Sequence, residues 1–549
     1  MKKFVRLALC VIMCLCFVLP LAACNDDGIT VDQLVVYNWA DYIYDYEDEF
    51  VAYYEQMTNG ERTVKVTYVT FDTNETMLTK IMNGDSNVDV ICPSEYAIQK
   101  LLESDLLVKM NYQDEEKYLE GLAVAGDYVH NYENVDQNVI KKVGEVFSEV
   151  QVGDRTENML DYFVPYMYGT LGILYNKYKF MEFGIYDKDV MNQANWGILF
   201  NDNGNGELLS EKLTGAILMK DSIRDSYAAT VFYLLESGKL DGLTYQDESS
   251  PYYGTLYTDL PINSLINAVD DQLIELCKQA LVTQKQQLFG YEVDFGKDDL
   301  LKGTAYADLA WSGDAMYAVE ESWSDELDDY VLSYYVPHTA GNIWFDGWVI
   351  PKTYNPDHML AIKLFINFLN SPYVAAQNMM EIGYTSAVDP EKVREDDDAR
   401  AVLMETYLVY DPDQIYWDNV DEDGNLLTEA TADYASWEEF EEYFFDGIDD
   451  IDDSNWRYPF ASALTASEER FVTTLGVMRD FGVNNKPVVT MWNYARSAGV
   501  SVWGLVGITV AALAVAAGAI ALFVFVKEQR KSKVVTKIAT HSENAPSKS

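Results

Sequence analysis

Read for the spacing of apolar and polar positions, the chain alternates strand and helix from residue 34 onward. Residues 34–37 are a short apolar strand, and 41–57 carry aromatic and aliphatic side chains at helical spacing with acids between them. Residues 64–69 read as a second strand, 73–82 as a helix closed by Asn83-Gly84, and 88–92 as a strand apolar enough for burial on both faces. Ser94 is placed to cap a helix running to Leu102. Such a βαβαβα series predicts a parallel sheet covered by helices. The pattern returns in strands at 172–175, 215–219, 307–311 and 330–336, with helices at 221–235 and 357–369. The expected fold class is α/β with two lobes, and ligands in such sheets bind beyond the carboxyl ends of the strands.

The two ends of the chain follow a different pattern. Lys2, Lys3 and Arg6 precede an apolar run at 7–21 that finishes Leu21-Ala-Ala-Cys24, which reads as an export signal over 1–23 with a lipobox. Cys24 is then the lipid-bearing residue and 24–32 a tether. Residues 503–526 are apolar throughout and, at about 1.5 Å per residue, long enough to cross a bilayer. Lys527, Arg530, Lys531, Lys533 and Lys537 follow directly, so the tail 527–549 is expected in the cytoplasm and the long middle outside, at the cell membrane.

Composition narrows the chemistry. With 39 Lys and Arg against 89 Asp and Glu, the formal charge is −50, which excludes a phosphate-gripping nucleic-acid surface. The same acidity fits a solvated surface or an attraction for cations. Residues 411–456 hold 17 acids and no Lys or Arg and read as an acidic insertion. Of six cysteines, Cys10, Cys14 and Cys16 leave with the signal and Cys24 takes lipid. Cys92 and Cys277 remain, so no disulfide framework or metal cluster is expected. His130, His338, His358 and His541 show no ligand spacing, and no cofactor is expected. Asn201-Asp-Asn-Gly-Asn-Gly206 and Asp421-Glu-Asp-Gly-Asn425 hint at calcium loops, but Lys212 stands where the first would need its bidentate Glu, so both read as turns.

The segment Val36-Tyr-Asn-Trp-Ala-Asp-Tyr-Ile43 resembles the start of the polyamine-binding proteins of bacterial ABC transporters. The likeness continues, in the family's order, through Phe71-Asp-Thr-Asn-Glu-Thr-Met77, Val88-Asp-Val-Ile-Cys-Pro-Ser-Glu-Tyr96, Val164-Pro-Tyr-Met-Tyr-Gly169 and Gly172-Ile-Leu-Tyr-Asn176. It resumes at Trp311-Ser-Gly-Asp314, Ile343-Trp-Phe-Asp346, Phe365-Ile-Asn-Phe-Leu369 and Ile382-Gly-Tyr384. The resemblance implies a two-lobed periplasmic-binding-protein fold of type II, with one lobe from 33–165 and 345–390 and the other from 166–344 and 391–495. It implies a receptor, not an enzyme, that hands a polyamine to permease and ATPase subunits.

Carried over position by position, the resemblance suggests Trp39, Tyr96, Trp311, Trp344 and Tyr384 as aromatic walls, and Asp41, Asp225, Asp314 and Asp346 as ammonium acceptors. A linear diamine asks for the same arrangement on physical grounds. Its two ammonium groups need separated carboxylates with an apolar, aromatic channel between them, and each cation over an aromatic face gains about 0.5–2 kcal/mol. Each residue also has a plainer use: Asp41 could favour a helix start, Trp39 and Trp344 could be core, Tyr96 and Asp225 could sit on helix surfaces. Ala40 and Ser222 depart from the family pattern, and the missing charge at Ser222 points to putrescine over spermidine. Two alternatives use the same features: a surface sensor or adhesion protein, for which the second membrane segment and the acidic insertion speak, and an extracellular carboxylate-dependent hydrolase.

Overall fold

Ten residues, Thr30–Trp39 (β1), form the strand expected at 34–37. The extension comes from its partner: β2 (Arg62–Phe71) runs parallel to it over its whole length, from Thr30 opposite Arg62 to Trp39 opposite Phe71. β3 (Val90–Ile91) pairs in parallel on the other side, giving the order β2-β1-β3. The computed structural model describes residues 29–498 apart from 85–86, 186–195, 205, 294, 328 and 407–467. The lipobox with Cys24, the insertion 411–456, the second acidic loop at 421–425 and the apolar span 503–526 therefore lie outside the described residues.

The helices around this sheet refine the sequence reading. α1 (Glu47–Met57) begins six residues later than the spacing predicts, and it buries Phe50, Tyr54 and Met57. The chain leaves β1 through a turn in which Asp41 has φ +49°. A residue in that left-handed region cannot lie in a right-handed helix, so Asp41 is not a helix-start acid. α2 (Asn74–Met82) is capped as its sequence suggests, the Thr73 side chain accepting from the Thr76 N–H. Ser94 does stand before α3 (Glu95–Glu103), but it caps nothing; its Oγ accepts instead from Asn74 Nδ2 at 3.0 Å.

The larger sheet is built on β4 (Val164–Asn176), all thirteen residues of which are buried. β5 (Ile217–Lys220) lies parallel to β6 (Leu288–Glu292) and to β7 (Ala307–Trp311). Helices α4 (Ile223–Glu236) and α5 (Asp271–Gln284) make the crossover that such pairing requires. β4 itself runs antiparallel to β7, to β8 (Leu332–Tyr335), to β9 (Gly341–Trp348) and to β10 (Thr385–Ser386), and β11 (Leu475–Gly476) closes the far edge beside β9. This sheet is thus mixed, with the order β11-β9-β4-β7-β5-β6.

The two sheets meet where Ile91 and Val349 exchange backbone hydrogen bonds of 3.0 and 2.9 Å. Leu34, Val36, Phe50, Trp348 and Phe365 share one apolar cluster under the first sheet, and Trp196, Tyr227, Phe232 and Trp492 another under the second. Among the described residues no single helix is long and apolar enough to cross a membrane. The apolar helix α7 (Met359–Leu369) belongs to the first cluster, buried from Ala361 to Leu369.

Candidate functional site

The residues singled out in the sequence gather at strand ends and helix starts. Trp39 closes β1 and Trp311 closes β7, while Tyr96 follows β3 in the first turn of α3. Asp225 and Asp314 hold the same position, third in α4 and third in α6 (Ser312–Glu320), where a helix dipole favours a carboxylate. Trp344 and Asp346 alternate along β9, and Tyr384 lies between α8 (Pro372–Ile382) and β10.

Around Asp346 the surroundings are aromatic. The Tyr384 ring stands edge-on to Tyr42 at 5.5 Å and to Trp344 at 5.3 Å. Two glycines make this packing possible: a Cβ on Gly313 would run into the Tyr384 ring, and one on Gly169 into Trp344. Asp346 is only 5% exposed, and burial pushes its carboxyl up to about 7 against the opposing effect of the Ser94 and Tyr42 hydroxyls. Beside it Glu95 accepts from the Phe345 N–H at 2.9 Å and is pushed up to about 8, by burial first and by Asp346 as well. Three polar atoms here are buried without a hydrogen-bond partner: Asp346 Oδ1, Glu95 Oε1 and the indole N–H of Trp344.

Around Trp311 the surroundings are charged. Burial raises the Asp225 carboxyl, while Ser222, Lys220 and the Trp311 indole hold it back. The Tyr96 hydroxyl accepts from Asn74 Nδ2 at 3.0 Å and feels both Glu75 and Asp225. Glu75 is open to solvent, yet enclosing protein and then Asp225 push it up. Lys220, at the end of β5, lies 4.2 Å from the centre of the Trp311 ring, 2.6 Å from Glu292 and 3.8 Å from Asp314. Lys297 meets Asp314 from another side at 2.7 Å.

Asp314 joins the two surroundings, since the Tyr384 hydroxyl feels both Asp314 and Asp346. Seven of the nine predicted residues therefore form one continuous group: Tyr96, Asp225, Trp311, Asp314, Tyr384, Trp344 and Asp346. Trp39 flanks it, packed on Phe71 at 4.4 Å. Asp41 differs in character, being exposed, with Tyr68 as the group that feels its charge. Tyr42, Glu75, Ser94 and Glu95 were not singled out although they lie inside the motifs that carry the resemblance. Lys220 and Lys297 carried no sequence signal, because a lysine among acids ordinarily reads as surface. The first glycine-rich acidic loop is a turn, with Asp202 Oδ1 accepting from the N–H groups of Gly204 at 2.8 Å and Gly206 at 3.2 Å.

Comparison with known proteins now has a geometry to explain. The putrescine-binding periplasmic protein SpuD of Pseudomonas aeruginosa is 24% identical over 347 residues, 63% of this chain and 75% of that protein. The spermidine/putrescine-binding periplasmic protein of Escherichia coli is 23% identical over 364 residues, covering 66% and 79%. The chain is similar to the periplasmic polyamine-binding proteins. Both relatives are named as binding proteins. A family model described as a hypothetical lipoprotein of the MG045 family matches residues 1–202. The chain shares the mixed α/β fold of the Tp0655 (TpPotD) lipoprotein of Treponema pallidum, with TM-score 0.51 and 17% identity over 85% of this chain and 99% of that one.

Proposed function

We propose that the chain is the extracytoplasmic receptor of an ABC importer for polyamines, binding putrescine in preference to spermidine and delivering it to permease and ATPase subunits. The observation that carries this reading is the pair of unpartnered buried carboxyl oxygens, Asp346 Oδ1 and Glu95 Oε1, beside the rings of Tyr42, Trp344 and Tyr384. An unpaired buried polar group costs about 1–3 kcal/mol, and the two acceptors, Asp346 Oδ1 and Glu95 Oε1, are explained by a guest that donates hydrogen bonds. An ammonium is that guest: it pairs with the carboxylate and gains from the aromatic faces. Glu75 and Asp225, which feel each other beside Tyr96, offer the second pole that a diamine needs.

The lobes of this reading follow the chain crossings at β4 and β9. Residues 397–406 are assigned to the first lobe and not the second, because helix Asp397–Thr406 packs on α8. Cys24 carries lipid, and 503–526 spans the membrane with the tail inside. Calorimetry with putrescine, cadaverine, spermidine and lysine tests the ligand class. Putrescine is expected to bind most tightly and lysine least, its carboxylate being repelled by the acids; binding of none of the amines overturns the reading. Palmitate labelling lost in Cys24→Ala, together with a protease-protected tag after Lys548, tests the anchoring.

A further inference from the structure

A lysine ammonium stands in this molecule where an amine ligand's own ammonium would be expected. The Lys220 side chain is 2% exposed, and its Nζ lies 4.2 Å from the centre of the Trp311 ring. The same Nζ donates to the Val293 carbonyl at 2.9 Å and lies 2.6 Å from Glu292 and 3.8 Å from Asp314. An aromatic face, two carboxylates and a carbonyl are what an aromatic, acidic site offers an alkylammonium. Trp311 and Asp314 both belong to the continuous group described above, so this cation is part of the site's lining.

Two of the acids at this end are paired without a ligand. Glu292 and Asp314 are met by Lys220 and Lys297. Asp308, 1% exposed, is pushed upward by burial and by Glu292, which favours its neutral form. A further ammonium arriving on the Lys220 side of Trp311 finds Glu292 and Asp314 already paired and meets a like charge in a poorly solvated place.

Building on the polyamine reading, we propose that Lys220 is a resident ammonium that fills a third cation position and makes the receptor reject triamines. The test uses the full chain in detergent micelles and calorimetry with putrescine, spermidine and N-butylputrescine. The last has the length of spermidine, with a methyl in place of one terminal ammonium, and so separates charge from reach. On wild-type protein spermidine is expected to bind about tenfold more weakly than N-butylputrescine, as like-charge juxtaposition requires. In Lys220→Met, which frees Glu292, spermidine is expected to become the tighter of the two.

Should Lys220→Met fail to fold, the double variant Lys220→Met with Glu292→Gln removes one charge of each sign, and the gap should shrink to about threefold or less. Equal or tighter binding of spermidine by the wild type overturns the assignment, as does an unchanged ratio in a folded variant. In those cases putrescine binding survives and only the role of Lys220 falls. Binding of no amine at all by the wild type removes the polyamine reading and this inference with it.

Discussion

At one end of the candidate site Glu292 and Asp314 are met by Lys220 and Lys297; at the other, Asp346 and Glu95 are met by hydroxyls, a backbone N–H and aromatic rings. No Lys or Arg is paired with Asp346 among the described residues. Burying a charge is costly unless it is paired, and the two ends meet that cost differently. The first carries its cations on the chain, with Lys220 and Lys297 beside Glu292 and Asp314. The second answers by shifting its acids upward, to about 7 and about 8, which leaves charge for an incoming cation to stabilise.

Opposite responses to neutralisation would break or sharpen this contrast most sharply. Glu292→Gln strands the buried Lys220 ammonium, and removing one partner of a buried pair destabilises by about 3–5 kcal/mol. Asp346→Asn removes a charge that has no counter-ion, so stability without ligand should rise. Denaturant unfolding of the two variants side by side checks this. A loss of stability in both would mean that Asp346 is compensated after all.

Binding should respond in the reverse sense. Asp346→Asn is expected to weaken putrescine by about 2–5 kcal/mol, roughly thirtyfold or more, because the ammonium loses a buried partner. Trp344→Ala should cost about 0.5–2 kcal/mol through the lost aromatic face. Calorimetry reads both, and wild-type affinity in Asp346→Asn would move the anchoring pole elsewhere.

How far the sequence disclosed this contrast depends on which residues are asked. The motif order marked Trp344, Asp346 and Tyr384, and the structure brings them together because Gly313 and Gly169 leave room for the rings. The alternation of apolar runs also located β1, β2 and β7, since strand burial follows from local pattern. The helix expected from residue 41 starts at Glu47 instead, because spacing does not record the left-handed turn at Asp41, φ +49°. The antiparallel setting of β4 was hidden because its partners lie far along the chain. Lys220 was hidden for a related reason: its carboxylates come from residues 292 and 314, which only the fold brings near.

The pH dependence carries the contrast into a single titration. Asp346 has a folded value of about 7 against an unfolded value of about 3.9. Between these values the folded chain holds more protons than the unfolded one, so this group's contribution to stability falls as pH rises through that window and is level above it. Glu95 and Glu236, both pushed up to about 8 by burial, extend the fall toward pH 8. Putrescine prefers the ionised carboxylate, so its affinity should rise with pH up to about 7, by at most tenfold per unit. Asp346→Asn should flatten that rise. A wild-type affinity that is level between pH 5 and 7 would show that the acid is already ionised without ligand.

The smallest effect concerns an ion pair outside both clusters. Lys100 on α3 lies 2.8 Å from Asp480, whose N–H donates to Gln99 Oε1 at 3.1 Å, so the end of the chain beyond β11 is tied to the helix that presents Tyr96. Lys100 is 30% exposed and Asp480 16%, and pairs in contact with water contribute about 0.2–1 kcal/mol. Lys220 and Glu292, exposed by 2% and 0%, belong to the opposite regime. Asp480→Asn should therefore alter unfolding by no more than that amount, with the difference shrinking in high salt as exposed charges are screened. If the contact forms only when the two lobes close, the cost moves entirely into binding. Stability without ligand then stays put, while putrescine dissociates faster and its affinity falls by up to about fivefold. Stopped-flow dissociation at low and high salt, beside an unfolding curve for the same variant, separates the two cases, and a loss of several kcal/mol in either would place this pair with the buried lysine cluster.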